Sequence, residues 1–242
     1  MQRHPELRDK PLAVCGSQEE RHGIVLAANY IAKPYGVKTG MAVWQARQRC
    51  PHLVMLPPDM GEYIRFSQMA REIYEDYTDQ IEPFGLDENW LDVTGSVGMF
   101  GSPMTIAREI SDRMKFELGI TCSIGVADNK ITAKLGSDYK KPDAITRIER
   151  DNYREVVYPL PVEDLLYVGP ATSKKPRATG PQMTHKSRAP IQLNAVKWML
   201  RAQFSMPGFA PSEFRTTVIT PAPRTAKMKF HTPRAVVSAS LR

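Results

Sequence analysis

Three cysteines in 242 residues, Cys15, Cys50 and Cys122, lie far apart with no CxxC pair. That is too few and too scattered for a disulfide framework or a cysteine-based zinc site, and it fits reduced thiols in a cytoplasmic protein. No run of 18 or more apolar residues occurs, so no membrane-spanning helix is expected. The opening MQRHPELRDK is charged and contains a proline, unlike a secretory leader. Acidic residues are almost absent from the last quarter: residues 176–242 hold eleven Lys/Arg and one acid, Glu213. The remaining 22 basic and 25 acidic residues give residues 1–175 a net charge of −3. The overall charge of +7 and pI near 9.3 therefore belong to the tail. A basic balance invites a nucleic-acid reading, but only the tail carries it by charge alone.

What is present in residues 1–175 is a clean alternation of strand and helix signals. Leu12–Cys15 and Ile24–Ala27 read as short buried strands around a polar turn, Ala42–Cys50 as a helix stopped by Pro51, and Leu53–Leu56 as a strand. Tyr63, Phe66, Ala70, Ile73 and Tyr77 recur at helical spacing. Ile81–Val93 reads as two strands around a turn at Gly85 to Asn89. Ser102 and Pro103 punctuate the start of the next helix and Gly119 its end. Ile120–Val126 follows as a strand, then a helix capped by Asp128 and running to Tyr139, then a strand at Ala144–Ile148. This order predicts an α+β fold, a ferredoxin-like sheet with helices on one face. After Lys175, eight prolines interrupt nearly every candidate element and only Ile191–Phe204 keeps a helical rhythm. The stretch 176–242 reads as a basic, proline-rich, poorly ordered tail.

Asp87 and Glu88, in GLDENWLDVTG, are adjacent carboxylates at a turn between apolar strands. Mg²⁺ takes hard oxygen ligands and keeps part of its shell for phosphate, so such a pair suits it. Neighbours on a strand face apart, however, and both reach one ion only where the strand ends or bends. Taken alone, the dipeptide reads as two solvated surface acids sooner than as a metal site.

The wider text resembles the Y-family (translesion) DNA polymerases. GLDENWLDVTG and SIGVADNKITAKLGSDYKKPDAI (123–145) are similar to that family's palm, HGIVLAANYIAKPYGVKTGM (22–41) to its fingers, and VEDLLYVGPATSKK (162–175) to the opening of its helix-hairpin-helix thumb. The resemblance covers residues 4–175 with the motifs in family order. It implies a fingers-like domain at 1–60, a palm at 61–148 and the start of a partial helical thumb at 149–175. It also implies template-directed nucleotidyl transfer onto a DNA primer opposite damaged bases, with Mg²⁺ as cofactor. The implied partners are primer-template DNA, deoxynucleoside triphosphates and a sliding clamp, with no membrane. By resemblance, Asp87 and Glu88 are catalytic metal ligands, and Tyr30, Lys33 and Lys141 contact the nucleotide's phosphates. Asp92 matches a recurrent position and is expected to serve the strand structurally.

Departures from the family pattern shape a second expectation. Lys33 stands where the family has arginine, which removes a planar, bidentate fork. Ala27 stands where many relatives carry a hydroxyl. The family's first palm strand, with its metal-binding aspartate, has no counterpart before Met1, and the pattern is lost after residue 175, as a shifted reading frame would produce. The expectation is a palm sheet lacking its central strand and impaired in transfer. The alternative is a non-catalytic DNA-binding remnant of such a polymerase. A different metal-dependent nucleotidyl transferase is disfavoured because fingers and thumb motifs also match.

Overall fold

The computed structural model describes residues 4–16, 23–168 and 235–241. It divides into two compact units, residues 1–69 and 70–242. The division falls inside a helix, α2 (Met60–Glu75).

The first unit holds a three-stranded sheet of β1 (Leu12–Cys15), β2 (Val25–Ala28) and β3 (Val54–Leu56), in the order β2-β1-β3. β1 runs antiparallel to β2 and parallel to β3, and the link between β2 and β3 contains α1 (Val43–Arg49). Its core is small: Ala13, Cys15, Val25, Ala32, Val37, Ala46, Cys50 and Leu53. Burial pushes the Cys15 and Cys50 thiols up, as suits buried thiols that serve packing.

The second unit is built on a five-stranded sheet: β4 (Ile81–Pro83), β5 (Glu88–Asp92), β6 (Cys122–Ala127), β7 (Ile145–Ile148) and β8 (Val236–Leu241), in the order β4-β5-β8-β6-β7. β8 corrects the sequence reading twice. It comes from the stretch expected to lack order, and it occupies the middle of a sheet expected to have an empty centre. VVSASL pairs antiparallel with β5 from Glu88↔Ser240 to Asp92↔Val236, and with β6 from Cys122↔Leu241 to Ala127↔Val236. All six of its residues are buried. The hexapeptide suits a strand covered on both faces, because it carries no charge and, apart from Leu241, its residues are small or β-branched. The helical rhythm at Ile191–Phe204 and the thumb motif beyond Val168 lie outside the described residues.

Helices cover both faces of this sheet, not one. Gly125 on β6 explains one side. A Cβ there would stand 1.8 Å from the Ala133 carbonyl oxygen and 2.6 Å from the Ser137 nitrogen, so α5 (Lys130–Tyr139) lies directly on the strand backbone. Gly136 of α5 meets Gly125 from the other side, with its Cβ position 3.1 Å from the Gly125 Cα. On the opposite face Cys122 is hydrogen-bonded to Ser111 of α4 (Pro103–Arg113), and burial pushes its thiol up to about 12. Alternation along β6 therefore sends Ser123 and Gly125 to α5, and Cys122, Ile124 and Val126 to the other layer. There α4 contributes Ile106 and Ile110, and α2 contributes Ala70, Ile73 and Tyr74. A short α3 (Val97–Phe100) precedes α4, and α6 (Tyr153–Val156) follows β7 and packs with Leu160, Val162 and Leu165 beside α5.

Helix punctuation follows the sequence closely. The Ser102 side chain accepts from the Thr105 N–H, Pro103 opens α4, and Gly119 takes the left-handed conformation (φ 64°) after a π-helical last turn at Met114–Leu118. One cap differs: Asn129, not Asp128, closes the start of α5, its side chain accepting from the Thr132 N–H at 3.0 Å. Asp92 does serve the strand. Its Oδ1 accepts from the Thr94 N–H at 3.0 Å and the Thr94 hydroxyl at 2.6 Å, fixing the turn after β5.

Candidate functional site

The second unit gathers charge where β5 begins and β8 ends. Glu88 is the first residue of β5, and its Oε1 accepts from Lys134 Nζ at 2.6 Å. Lys134 also pairs with Asp138 at 3.0 Å, one helical turn further along α5. Asp138 in turn meets Lys141 Nζ at 2.6 Å, and Lys141 donates to Ser240 Oγ at 3.1 Å. The Ser240 hydroxyl donates to Glu88 Oε1 at 3.4 Å, closing the ring. Two carboxylates, two ammonium groups and a hydroxyl thus form one circuit at the end of the sheet.

Local structure dictates this arrangement. Asp138 lies four residues after Lys134 on one face of α5, and Lys141 follows just beyond the end of that helix, near enough to reach back to Asp138. Glu88 and Ser240 are direct cross-strand partners, so their side chains share the face against which α5 packs. The close Gly125 contact brings α5 down far enough for Lys134 to reach the strand. Burial by itself would lower the Lys134 ammonium, but its hydrogen bonds to Glu88 and Asp138 raise it overall. For Asp138 burial works upward, and the hydrogen bonds from Lys141 and Lys134 carry it below the usual carboxylate range.

Of the residues expected from sequence, the structure brings Glu88 and Lys141 into this circuit. Asp87 adjoins it through the backbone, its carbonyl accepting from the Leu241 N–H at 2.8 Å. Its side chain belongs to the other face of the sheet by strand alternation. There it neighbours Tyr74, a fully buried phenol whose hydroxyl has no hydrogen-bond partner among the described residues. Burial first, then the nearby Cys122 and Asp87, push the ionisation of that phenol upward. Lys134, Asp138 and Ser240 were missed by sequence reasoning. The four-residue spacing of Lys134 and Asp138 was the available signal for two of them, and nothing local pointed to Ser240.

Tyr30 and Lys33 come together in the first unit. Asn29 fixes their loop: its Oδ1 accepts from the N–H groups of Leu12 (3.0 Å) and Ala32 (2.9 Å), and its Nδ2 donates to the Lys10 carbonyl at 2.8 Å. Lys33 Nζ lies 4.1 Å from the centre of the Tyr30 ring, a cation–π distance.

The donors do not form a complete metal pocket. Among the described residues no group of three or more His, Cys, Asp or Glu side chains could hold a metal ion. Of the two adjacent acids, Glu88 is already paired with an ammonium group.

A family model, the impB/mucB/samB family, matches residues 1–138, more than half of the 242-residue chain. The chain belongs to this family. It is 59% identical over 172 residues to DNA polymerase IV of Acetivibrio thermocellus, an alignment that covers 71% of this chain and 43% of that protein. It is 41% identical over 176 residues to DNA polymerase IV 1 of Bacillus subtilis, covering 73% of this chain and 42% of that one. Among solved structures, DinB from Sulfolobus solfataricus matches with a TM-score of 0.65 and 31% identity over 74% of this chain and 52% of that one. An insertion ternary complex of Dbh DNA polymerase matches with a TM-score of 0.69 and 28% identity over 84% of this chain and 62% of that one. The chain is a homologue of the Y-family translesion enzyme DNA polymerase IV, and it spans less than half the length of these curated relatives. The mixed α/β fold matches the Y-family polymerase structures. No helix among the described residues is long and apolar enough to cross a membrane.

Proposed function

We propose that this chain binds primer-template DNA and a deoxynucleoside triphosphate as a palm-and-fingers module of translesion type, and that it catalyses nucleotidyl transfer weakly. The similarity to a polymerase solved as an insertion ternary complex supports the substrate class. The circuit of Glu88, Lys134, Asp138, Lys141 and Ser240 carries the reading of the site. Lys141 is the group positioned to meet a triphosphate: it is held by Asp138 and Ser240 at the mouth of the sheet, and a phosphate oxygen is a stronger acceptor than the serine it now contacts. Tyr30 and Lys33, on the loop fixed by Asn29, are the phosphate contacts of the first unit. Lysine at 33 gives a point charge where an arginine would give two parallel bonds, so the phosphate is held less strictly.

The family's chemistry calls for divalent metal, which would neutralise the triphosphate and activate the primer hydroxyl. Asp87 and Glu88 are its candidate ligands in this chain, and they are too few to fix the octahedral shell Mg²⁺ requires. Weak transfer follows from that shortage. The same observation favours a second reading, a DNA-binding protein without catalysis.

Two measurements on the full chain separate these readings. Fluorescence anisotropy with a primer-template should show binding that weakens steeply with salt, since phosphate contacts release counterions. Primer extension with Mg²⁺ and deoxynucleotides should then be slow, and Asp87→Ala should abolish what there is. Binding without any Asp87-dependent extension establishes the second reading. Failure to bind primer-template at low salt refutes both.

A further inference from the structure

The two strands at the carboxylate end fix what stands beside each acid. Glu88 pairs with Ser240, so Asp87 lies directly opposite Leu241, and the Leu241 N–H to Asp87 carbonyl bond of 2.8 Å confirms that register. Directly opposed residues point to the same face with their Cβ atoms about 4.5–5.5 Å apart. The side chain flanking Asp87 from the sheet interior is therefore an isobutyl group, only 8% exposed, with Cys122 in register beyond it. On the opposite face, Glu88 is flanked by the Ser240 hydroxyl and held by Lys134. Among the described residues no group of three or more His, Cys, Asp or Glu side chains could hold a metal here, and on the α5 face Glu88 and Asp138 are both paired with lysines.

We infer that β8 closes this end of the sheet as a site balanced by lysines and poor in affinity for divalent cations, in which Leu241 occupies the position from which a third carboxylate would complete a metal site. Three observations converge on it. The register places position 241, and no other residue of β8, opposite Asp87 on its own face. The charge of Glu88 is satisfied by Lys134 at 2.6 Å, so a cation binding there must first displace an ammonium group. Asp138, the remaining acid of the cluster, is bound between Lys134 and Lys141. An aspartate at 241 would bring its oxygens near those of Asp87, close enough to share an ion whose metal–oxygen bonds are about 2.0–2.1 Å.

This inference deepens the proposed reading and rests on the same site, but it is read out without DNA or nucleotide, so its failure leaves the DNA-binding measurement standing. The probe is Mn²⁺ alone, titrated into the full chain and followed by loss of the free-ion electron paramagnetic resonance signal. The unaltered chain should bind weakly. Leu241→Asp should tighten binding by about tenfold or more, because affinity follows the number of charged ligands. Asp87→Asn added to Leu241→Asp should erase the gain. A rise in melting temperature of Leu241→Asp with Mn²⁺ reports the same site independently, since an ion that binds only the folded chain stabilises it. Tight Mn²⁺ binding by the unaltered chain that Asp87→Asn removes overturns the inference, whatever happens to the variant. A folded Leu241→Asp with no gain in affinity overturns it equally.

Discussion

Gly125→Ala tests the contact that brings the helix cluster to the strand. The added methyl would sit 1.8 Å from the Ala133 carbonyl oxygen, 2.6 Å from the Ser137 nitrogen and 2.9 Å from the Ala133 carbonyl carbon. All three are backbone atoms of α5, so no side-chain rotation relieves the clash, and the helix must move away from β6 by an ångström or more. Overpacking a core by a methylene typically costs 1–3 kcal/mol, and a backbone collision of this depth belongs at or above the upper end, about 3 kcal/mol. The damage should extend to the site. Lys134 lies one residue after Ala133, and lifting α5 lengthens its 2.6 Å bond to Glu88. Urea denaturation followed by circular dichroism gives the stability change as a shift in midpoint. Hydrogen exchange should show lost protection in α5 and β6, with β1–β3 of the other unit unaffected. A loss below about 0.5 kcal/mol, the range of ordinary surface substitutions, would mean that α5 does not lie on Gly125 as described.

Ala239→Pro should destabilise the second unit by roughly 3 kcal/mol or more. Ala239 is fully buried in the central strand, and by alternation from the Leu241–Asp87 bond its N–H is directed at Asn89, a bond that proline cannot make. Loss of amide protection in both β5 and β6 checks it, and unchanged protection would show that β8 is not their partner. Asp138→Asn bears on pH dependence. The folded Asp138 carboxyl is held below its unfolded value, so its contribution is present above about pH 4 and lost as pH falls through the lower folded value. The variant should therefore lose stability at pH 7 and show a shallower acid-unfolding slope than the parent, measured by midpoint across pH 2–6; an unchanged slope would mean that the Lys134–Asp138–Lys141 chain contributes nothing.

How much of this was legible in the sequence depends on how local each signal is. The capping serine and proline before α4, and the glycine after it, act within a few residues, and the structure places those ends where they point. The single strands Leu12–Cys15 and Ile145–Ile148 are marked by apolar runs between turns, and they too fall within a residue of expectation. Asp128 and Asn129 are adjacent and equally good caps, so composition could not choose between them; the Thr132 N–H does, by its distance. The fingers-type loop was read from its motif, and Asn29 supplies the physical reason that the loop holds Tyr30 and Lys33 together.

The central strand was illegible for a different reason. VVSASL has strand-like composition, but it follows dozens of residues rich in proline and poor in acids, and a window average over that stretch reads as tail. Its partners are 109 or more residues away in sequence, the separation of Val236 from Ala127. Only pairing with two specific edges, those of β5 and β6, makes this hexapeptide a strand, and no local propensity encodes pairing over that range. The same gap hid the site. Glu88 and Lys141 could be chosen from their motifs, while Ser240, which bonds to both, lies 99 residues beyond Lys141. A lysine on a helix is usually solvated; the burial of Lys134 follows from the Gly125–Gly136 contact, which sinks α5 onto the sheet and brings the ammonium group to Glu88 and Asp138. The sheet's two faces then assign different tasks to neighbouring acids: Glu88 is compensated by lysine, and Asp87 looks toward Leu241, Cys122 and Tyr74. A dipeptide that reads in sequence as one metal-binding unit is, in the folded chain, two carboxylates in separate surroundings, and whether they act together depends on what stands at position 241.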